Sequence, residues 1–196
     1  MELKTVANPI DSAGVLKQTL SNLFYGWGYN FYRTENKLRA DDLLIRSKLS
    51  ELLAEARAHI GALESVYRRE FLPPPTREHP FPDAEAVRGA KALSRAQQAI
   101  EALEVRSRTA SVPEMDRVNQ RHREERGTLE SLSAVDIELV EAVLVLKDKI
   151  TAILPESILS GGPKSYAMVV SEAEQASRAF DPLWKKREDV LSALTP

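Results

Sequence analysis

Residues 135–146 read Val-Asp-Ile-Glu-Leu-Val-Glu-Ala-Val-Leu-Val-Leu, and the placing of their apolar positions decides the fold. Asp136, Leu139, Val143 and Leu146 recur three and four apart, the spacing of one helix face. Ile137, Val140 and Leu144 add a second apolar stripe. A helix apolar on two sides is covered on two sides. The stretch therefore predicts a central helix, or one buried further by a second subunit.

Followed outward, the first seam runs Met115, Val118, His122, Glu125, Leu129, Leu132, Asp136, Leu139, Val143, Leu146, Ile150 and Ile153. It alternates three and four over about five heptads, a coiled-coil-like pattern. Pro113 suits a first helical turn, where its missing N–H costs nothing. Pro155 stops the helix after Leu154, because proline cannot donate an N–H and clashes with the preceding turn.

Upstream, the chain predicts an irregular arm over residues 1–11, with Asp11 and Ser12 as helix caps. A first helix follows, with Leu16, Leu20, Leu23, Phe24, Trp27 and Phe31 on one face. Gly26 and Gly28 predict a break in it, since glycine costs about 1 kcal/mol against alanine inside a helix. Nothing stops a helix from about Asn30 to Phe71, where Leu38, Ile45, Leu49, Leu52, Ala56, Leu63 and Val66 hold the stripe. Pro73, Pro74 and Pro75 end it, and a proline-rich loop occupies 73–82. Asp83 caps a helix over 84–108 whose stripe (Val87, Ala90, Ala96, Ile100, Leu103) is rich in small residues, so its neighbours can approach closely. Residues 155–163 are expected to form a Gly/Pro loop. A last helix over 164–194 carries Tyr166, Val169, Val170, Ala173, Ala176, Phe180, Leu183, Trp184, Leu191 and Leu194, and Pro182 should bend or break it. Loops of this length favour antiparallel neighbours. The expected fold is all-α: an elongated antiparallel four-helix bundle with an additional N-terminal helix, in a single domain over 1–196.

Composition narrows the function classes. With 43% hydrophobic and 29% charged residues the chain is globular rather than disordered. Its 27 basic and 29 acidic side chains leave a net charge of −2, so no surplus of positive charge steers it to nucleic acid. It has no cysteine, which removes disulfide and thiol chemistry and suits a reducing cytoplasm. Met1–Ile10 lacks the basic-then-apolar pattern of a secretory signal. No apolar run approaches the ~20 residues of a membrane span.

Candidate functional residues fall into a few groups. Phe24, Tyr25, Trp27, Tyr29, Phe31 and Tyr32 hold half of the twelve aromatics. Clustered rings with polar tips serve as a core plug, as an anchor for a partner or ligand, or as a contact with a membrane interface, and Tyr25, Trp27, Tyr29 and Phe31 are the positions predicted to bind. Asp42, His59, His122, Glu125 and Asp136 place ionisable groups on apolar seams. They are costly there unless paired, so they pair across helices, open to solvent, or hold a metal or proton. His122 and Glu125 share one helix face, and Glu55 and His59 stand four apart. Yet the Glu-x-x-His of dinuclear bundles and the His-Glu-x-x-His of metalloproteases are absent, so no cofactor is expected.

Ser160–Ser165 lacks the spacing and preceding strand of a phosphate loop. Arg106–Arg126 interleaves both charge signs, the pattern of a solvated helix surface. Lys185, Lys186 and Arg187 complement the dipole of the last helix. No nucleophile elbow or catalytic triad can be assembled. These readings point away from an enzyme and towards a cytoplasmic, non-enzymatic helical interaction or scaffold protein, able to form a homodimer. The alternative is a helical-bundle binding protein for a mononuclear metal or small molecule.

Overall fold

The computed structural model describes residues 34–77, 79–110 and 125–192, with side chains over 44–77, 79–110 and 131–192. The chain divides into two units, 1–37 and 38–196, and the described contacts between helices lie in the second. Every described element is helical: α1 (Thr34–Phe71), α2 (Ala84–Arg108), α3 (Glu125–Thr151), α4 (Pro155–Ser160), a 3-10 turn (Gly162–Lys164) and α5 (Tyr166–Ser192). None is long and apolar enough to cross a membrane.

α1 has 38 residues, about 57 Å at the usual rise of an α-helix. Its stripe is wider than the sequence pattern suggests: Leu53, Ile60 and Tyr67 are fully buried beside Leu49, Ala56 and Leu63. Each buried leucine or isoleucine stabilises the fold by about 1.5–3 kcal/mol. α2 begins where Asp83 predicts it. That carboxylate accepts the Glu85 and Ala86 N–H groups, two of the four donors a helix start leaves unsatisfied. Its inner face is built of Ala86, Gly89, Ala90, Leu93, Ala96, Ile100 and Leu103.

Cross-helix contacts give the directions. The Arg46 guanidinium donates to the Ala110 carbonyl, Gly61 lies against Gln97, and Gly89 lies against Tyr67, so α1 and α2 are antiparallel. Tyr166 reaches Glu85 and Arg106 reaches Asp181, so α2 and α5 are parallel. Arg187 reaches Asp136 and Lys149 reaches Glu172, so α3 and α5 are antiparallel. On α3 the seam from Leu132 to Ile150 is buried. Of the second stripe Val140 is buried, while Ile137 and Leu144 are half-buried.

Two expectations are corrected. Residues 155–163 are not a plain loop, because they contain α4 and the start of the 3-10 turn. Pro155 ends α3 and also opens α4 as its first residue, after an extended Leu154. Its fixed φ suits a first turn as well as a stop, and fully buried Ile158 fastens the short helix to the core. Pro182 does not break α5, which runs unbroken through it. The proline is exposed, whereas Phe180 and Trp184 on either side of it are buried. Their packing outweighs the cost of about 3 kcal/mol that an interior proline carries.

Candidate functional site

Among the described residues the most deeply buried charges lie where α2, α3 and α5 meet. The apolar seam of α5 passes through Phe180, Trp184 and then Arg187. The Arg187 Nε donates to Asp136 Oδ1 at 2.9 Å, and both side chains are 1% exposed. Asp136 is the seam acid that the sequence singles out, and the pairing joins α3 to α5. The Arg187 guanidinium carbon also lies 5.4 Å from the centre of the Trp184 ring, within cation–π range. Arg106 of α2 approaches the same ring at 5.3 Å and bridges Asp181 at 2.9 Å and Glu188 at 3.6 Å. Phe180 stacks on Trp184, with centroids 5.5 Å apart and planes at 11°. The inner pair is sealed from solvent, while Arg106, Asp181 and Glu188 form a more exposed rim around it. These groups face one another, so their chemistry is that of a tie between three helices.

The expected dipole role of the Lys185–Arg187 run is corrected by the same contacts. Arg187 is buried in the ion pair, and Lys186 bridges Glu138 of α3. A seam extended one more turn, from Phe180 through Trp184 to Arg187, carries the signal that would have found it. Glu104 tells a similar story: it follows Leu103 on the α2 seam, is buried, and receives Arg57 from α1 and Arg108 from its own helix.

A second cluster joins α1, α2 and the start of α5. The Tyr67 hydroxyl donates to the Pro163 carbonyl at 2.6 Å, and the Tyr166 hydroxyl donates to Glu85 Oε1 at 3.0 Å. The two rings meet edge to face with centroids 6.3 Å apart, and Phe71 lies 4.9 Å from Tyr67. The two tyrosine rings pack on Gly89, where a Cβ would overlap the Tyr67 hydroxyl and stand 2.6 Å from Tyr166 Cδ1. Sequence reasoning missed the cluster because its members lie far apart along the chain and each looks like an ordinary core or loop residue.

Burial pushes the Tyr67 hydroxyl above its ordinary value of 10.0, and Tyr166, Glu85 and Asp83 add to the rise. Tyr166 is raised chiefly because its proton is held by the Glu85 carboxylate. Both phenols are therefore kept protonated, the opposite of an activated nucleophile. The consequence for stability has a definite sign. Below about pH 10 the Tyr67 phenol is neutral in folded and unfolded chains alike. Above that the unfolded chain ionises first, so stability falls as pH rises through the raised folded value. Urea unfolding from about pH 8 to 11.5 should show a steeper alkaline loss in the native protein than in Tyr67→Phe. Equal slopes would overturn this assignment.

The remaining predicted positions divide as follows. His59 Nε2 lies 2.9 Å from the Ile153 carbonyl oxygen. In the tautomer protonated there it donates to a carbonyl of the short link between α3 and α4. The Asp42 and Glu125 backbones belong to α1 and α3, but their side chains lie outside the described set, as does all of His122. Tyr25, Trp27, Tyr29 and Phe31 also lie outside the described residues. Among the described residues no three His, Asp or Glu converge as metal ligands. The chain matches no family model, no curated protein and no solved structure.

Proposed function

We propose that this chain is a cytoplasmic, non-enzymatic helical scaffold that works by binding proteins, a second copy of itself among them. Its architecture in this reading is an elongated antiparallel four-helix bundle with an additional N-terminal helix and a coiled-coil-like third helix. The observation that carries the reading is the apolar surface left on consecutive elements: Val145 of α3, Leu154 just before α4, Leu159 of α4 and Met168 of α5 are all exposed. Large apolar side chains left in water on successive elements offer surface that a partner can cover.

Val145 is 55% exposed and stands midway between Glu141 and Lys149, four residues from each. If α3 lies antiparallel on the α3 of a second copy about Val145, Glu141 faces Lys149 of that copy. A two-fold axis makes the contact twice. Ala142, one turn before Val145, is small enough to let the helices close. Tyr25, Trp27, Tyr29 and Phe31 are assigned to partner binding in the same reading, as rigid amphipathic anchors. The polar seam residues that the structure describes support it too, since Asp136 and His59 are engaged in holding helices together.

Sedimentation equilibrium tests the proposal on the full chain. The native protein should self-associate, and Val145→Arg should weaken that by at least about tenfold with helical circular dichroism unchanged. Trp27→Ala and Tyr29→Ala should also weaken association and keep the helical signal. Self-association unaffected by Val145→Arg would remove the α3 contact. Unfolding of Trp27→Ala at low temperature would make the aromatic cluster core rather than surface.

A further inference from the structure

The connection between α1 and α2 is far longer than its geometry requires. The two helices are antiparallel neighbours, with Tyr67 near the end of α1 against Gly89 near the start of α2. Packed helices lie about 8–10 Å apart, and two to five residues close such a hairpin. In this chain Leu72 to Asp83 intervene. Both ends are secured independently of what lies between. The Leu72 N–H continues the α1 ladder to Arg68, Phe71 packs on Tyr67, and Asp83 caps α2. The middle adds nothing to the core: Pro73–Arg77 and His79–Pro82 are exposed throughout.

The covalent structure of that middle sets its shape. Pro73, Pro74 and Pro75 hold φ near −65°. Leu72, Pro73 and Pro74 each precede a proline, which drives them away from the α region towards extended ψ. No described peptide bond is cis. The run is therefore a trans polyproline II segment, stiff before anything binds it. Pro80 and Pro82 flank Phe81 in a second proline-bearing stretch, which bends at Phe81. The two are joined by a turn in which the Thr76 N–H donates to the His79 carbonyl and the His79 N–H donates to Thr76 Oγ1, each at 3.1 Å.

Phe81, at 85%, is the most exposed large apolar side chain described. An aromatic ring left in water with no part in the fold is available to a partner. Arg77 follows Pro75 by two residues, is exposed, and forms no ion pair among the described residues.

We infer that Pro73–Arg77 and His79–Pro82 form a docking element for a protein module that binds polyproline II segments in a groove lined with aromatic side chains. Exposed prolines fill such a groove at low entropic cost because their backbone is already ordered. Phe81 supplies the apolar anchor, and Arg77 meets a carboxylate on the groove's rim, which sets the orientation. The inference rests on the reading of the chain as an interaction protein and names a second partner class, reached through residues separate from Val145.

The test uses the full chain, immobilised, against a panel of purified SH3, WW and EVH1 domains at up to about 1 mM. At least one domain should bind the native chain. The triple substitution Pro73→Ser, Pro74→Ser, Pro75→Ser and the single Phe81→Ser should each lower that affinity by about tenfold or more, and Arg77→Glu should lower it as well. All three proteins should keep native helical dichroism and native self-association. No binding across the panel, or binding that the proline substitutions leave unchanged, overturns the inference. Loss of loop binding with self-association intact counts against the docking element alone. A chain that binds a domain through the loop yet never self-associates counts against the dimer alone.

Discussion

Arg187→Ala is expected to lower stability by about 3–5 kcal/mol, the cost of removing one partner from a buried ion pair. The substitution leaves the Asp136 carboxylate in a 1% exposed setting without the guanidinium that compensates it, and the Trp184 ring loses one of its two cations. The neighbouring position is the control. Lys186 also bridges α5 to α3, through Glu138, but from exposed positions, where a pair contributes about 0–1 kcal/mol. Urea midpoints at constant m-value separate the two cases. The double substitution Asp136→Leu, Arg187→Met should return to within about 1 kcal/mol of the native protein or exceed it, because an apolar replacement removes the desolvation cost together with the attraction. An Arg187→Ala protein no less stable than Lys186→Ala would show that the pair is not a structural tie.

Gly89→Val is expected to cost about 2–4 kcal/mol, combining overpacking with loss of a buried hydrogen bond. The added side chain falls on the Tyr67 hydroxyl and the Tyr166 ring. Tyr67 has little room to yield: it is fully buried, donates to Pro163 and is bounded by Phe71 and Tyr166. Moving it breaks the tie between α1 and the turn that starts α5. Combining Gly89→Ala with Tyr67→Ala should therefore cost less than the sum of the separate changes, by about 1 kcal/mol or more. Strict additivity would mean that the ring does not sit against the glycine.

How much of this was legible in the sequence depends on the range of the signal. The proline run marked the end of α1 and Asp83 the start of α2, because caps and breakers act within a few residues. The α3 seam was legible for the same reason, down to Asp136 as its one described acid. Pro155 was ambiguous, since the same fixed φ serves as a stop and as a start, and buried Ile158 settles the matter only once the core exists. Pro182 misled because a local penalty was overruled by the packing of Phe180 and Trp184. Arg187 was assigned to the dipole because it stands beside two lysines, although the seam spacing from Phe180 and Trp184 runs straight through it. The Tyr67–Gly89–Tyr166 cluster had no local signal at all. It exists only through the antiparallel pairing of α1 with α2 and the parallel pairing of α2 with α5. The aromatic positions Tyr25, Trp27, Tyr29 and Phe31 were the plainest candidates in the sequence, and they fall outside the described residues.

Native mass spectrometry of the intact protein over a range of concentrations tests the account most directly, because it reports subunit number and any retained mass together. A dimer that grows with concentration and carries no additional mass is the predicted result. A monomer at every concentration, above all one holding a stoichiometric metal or organic molecule, would contradict the scaffold reading.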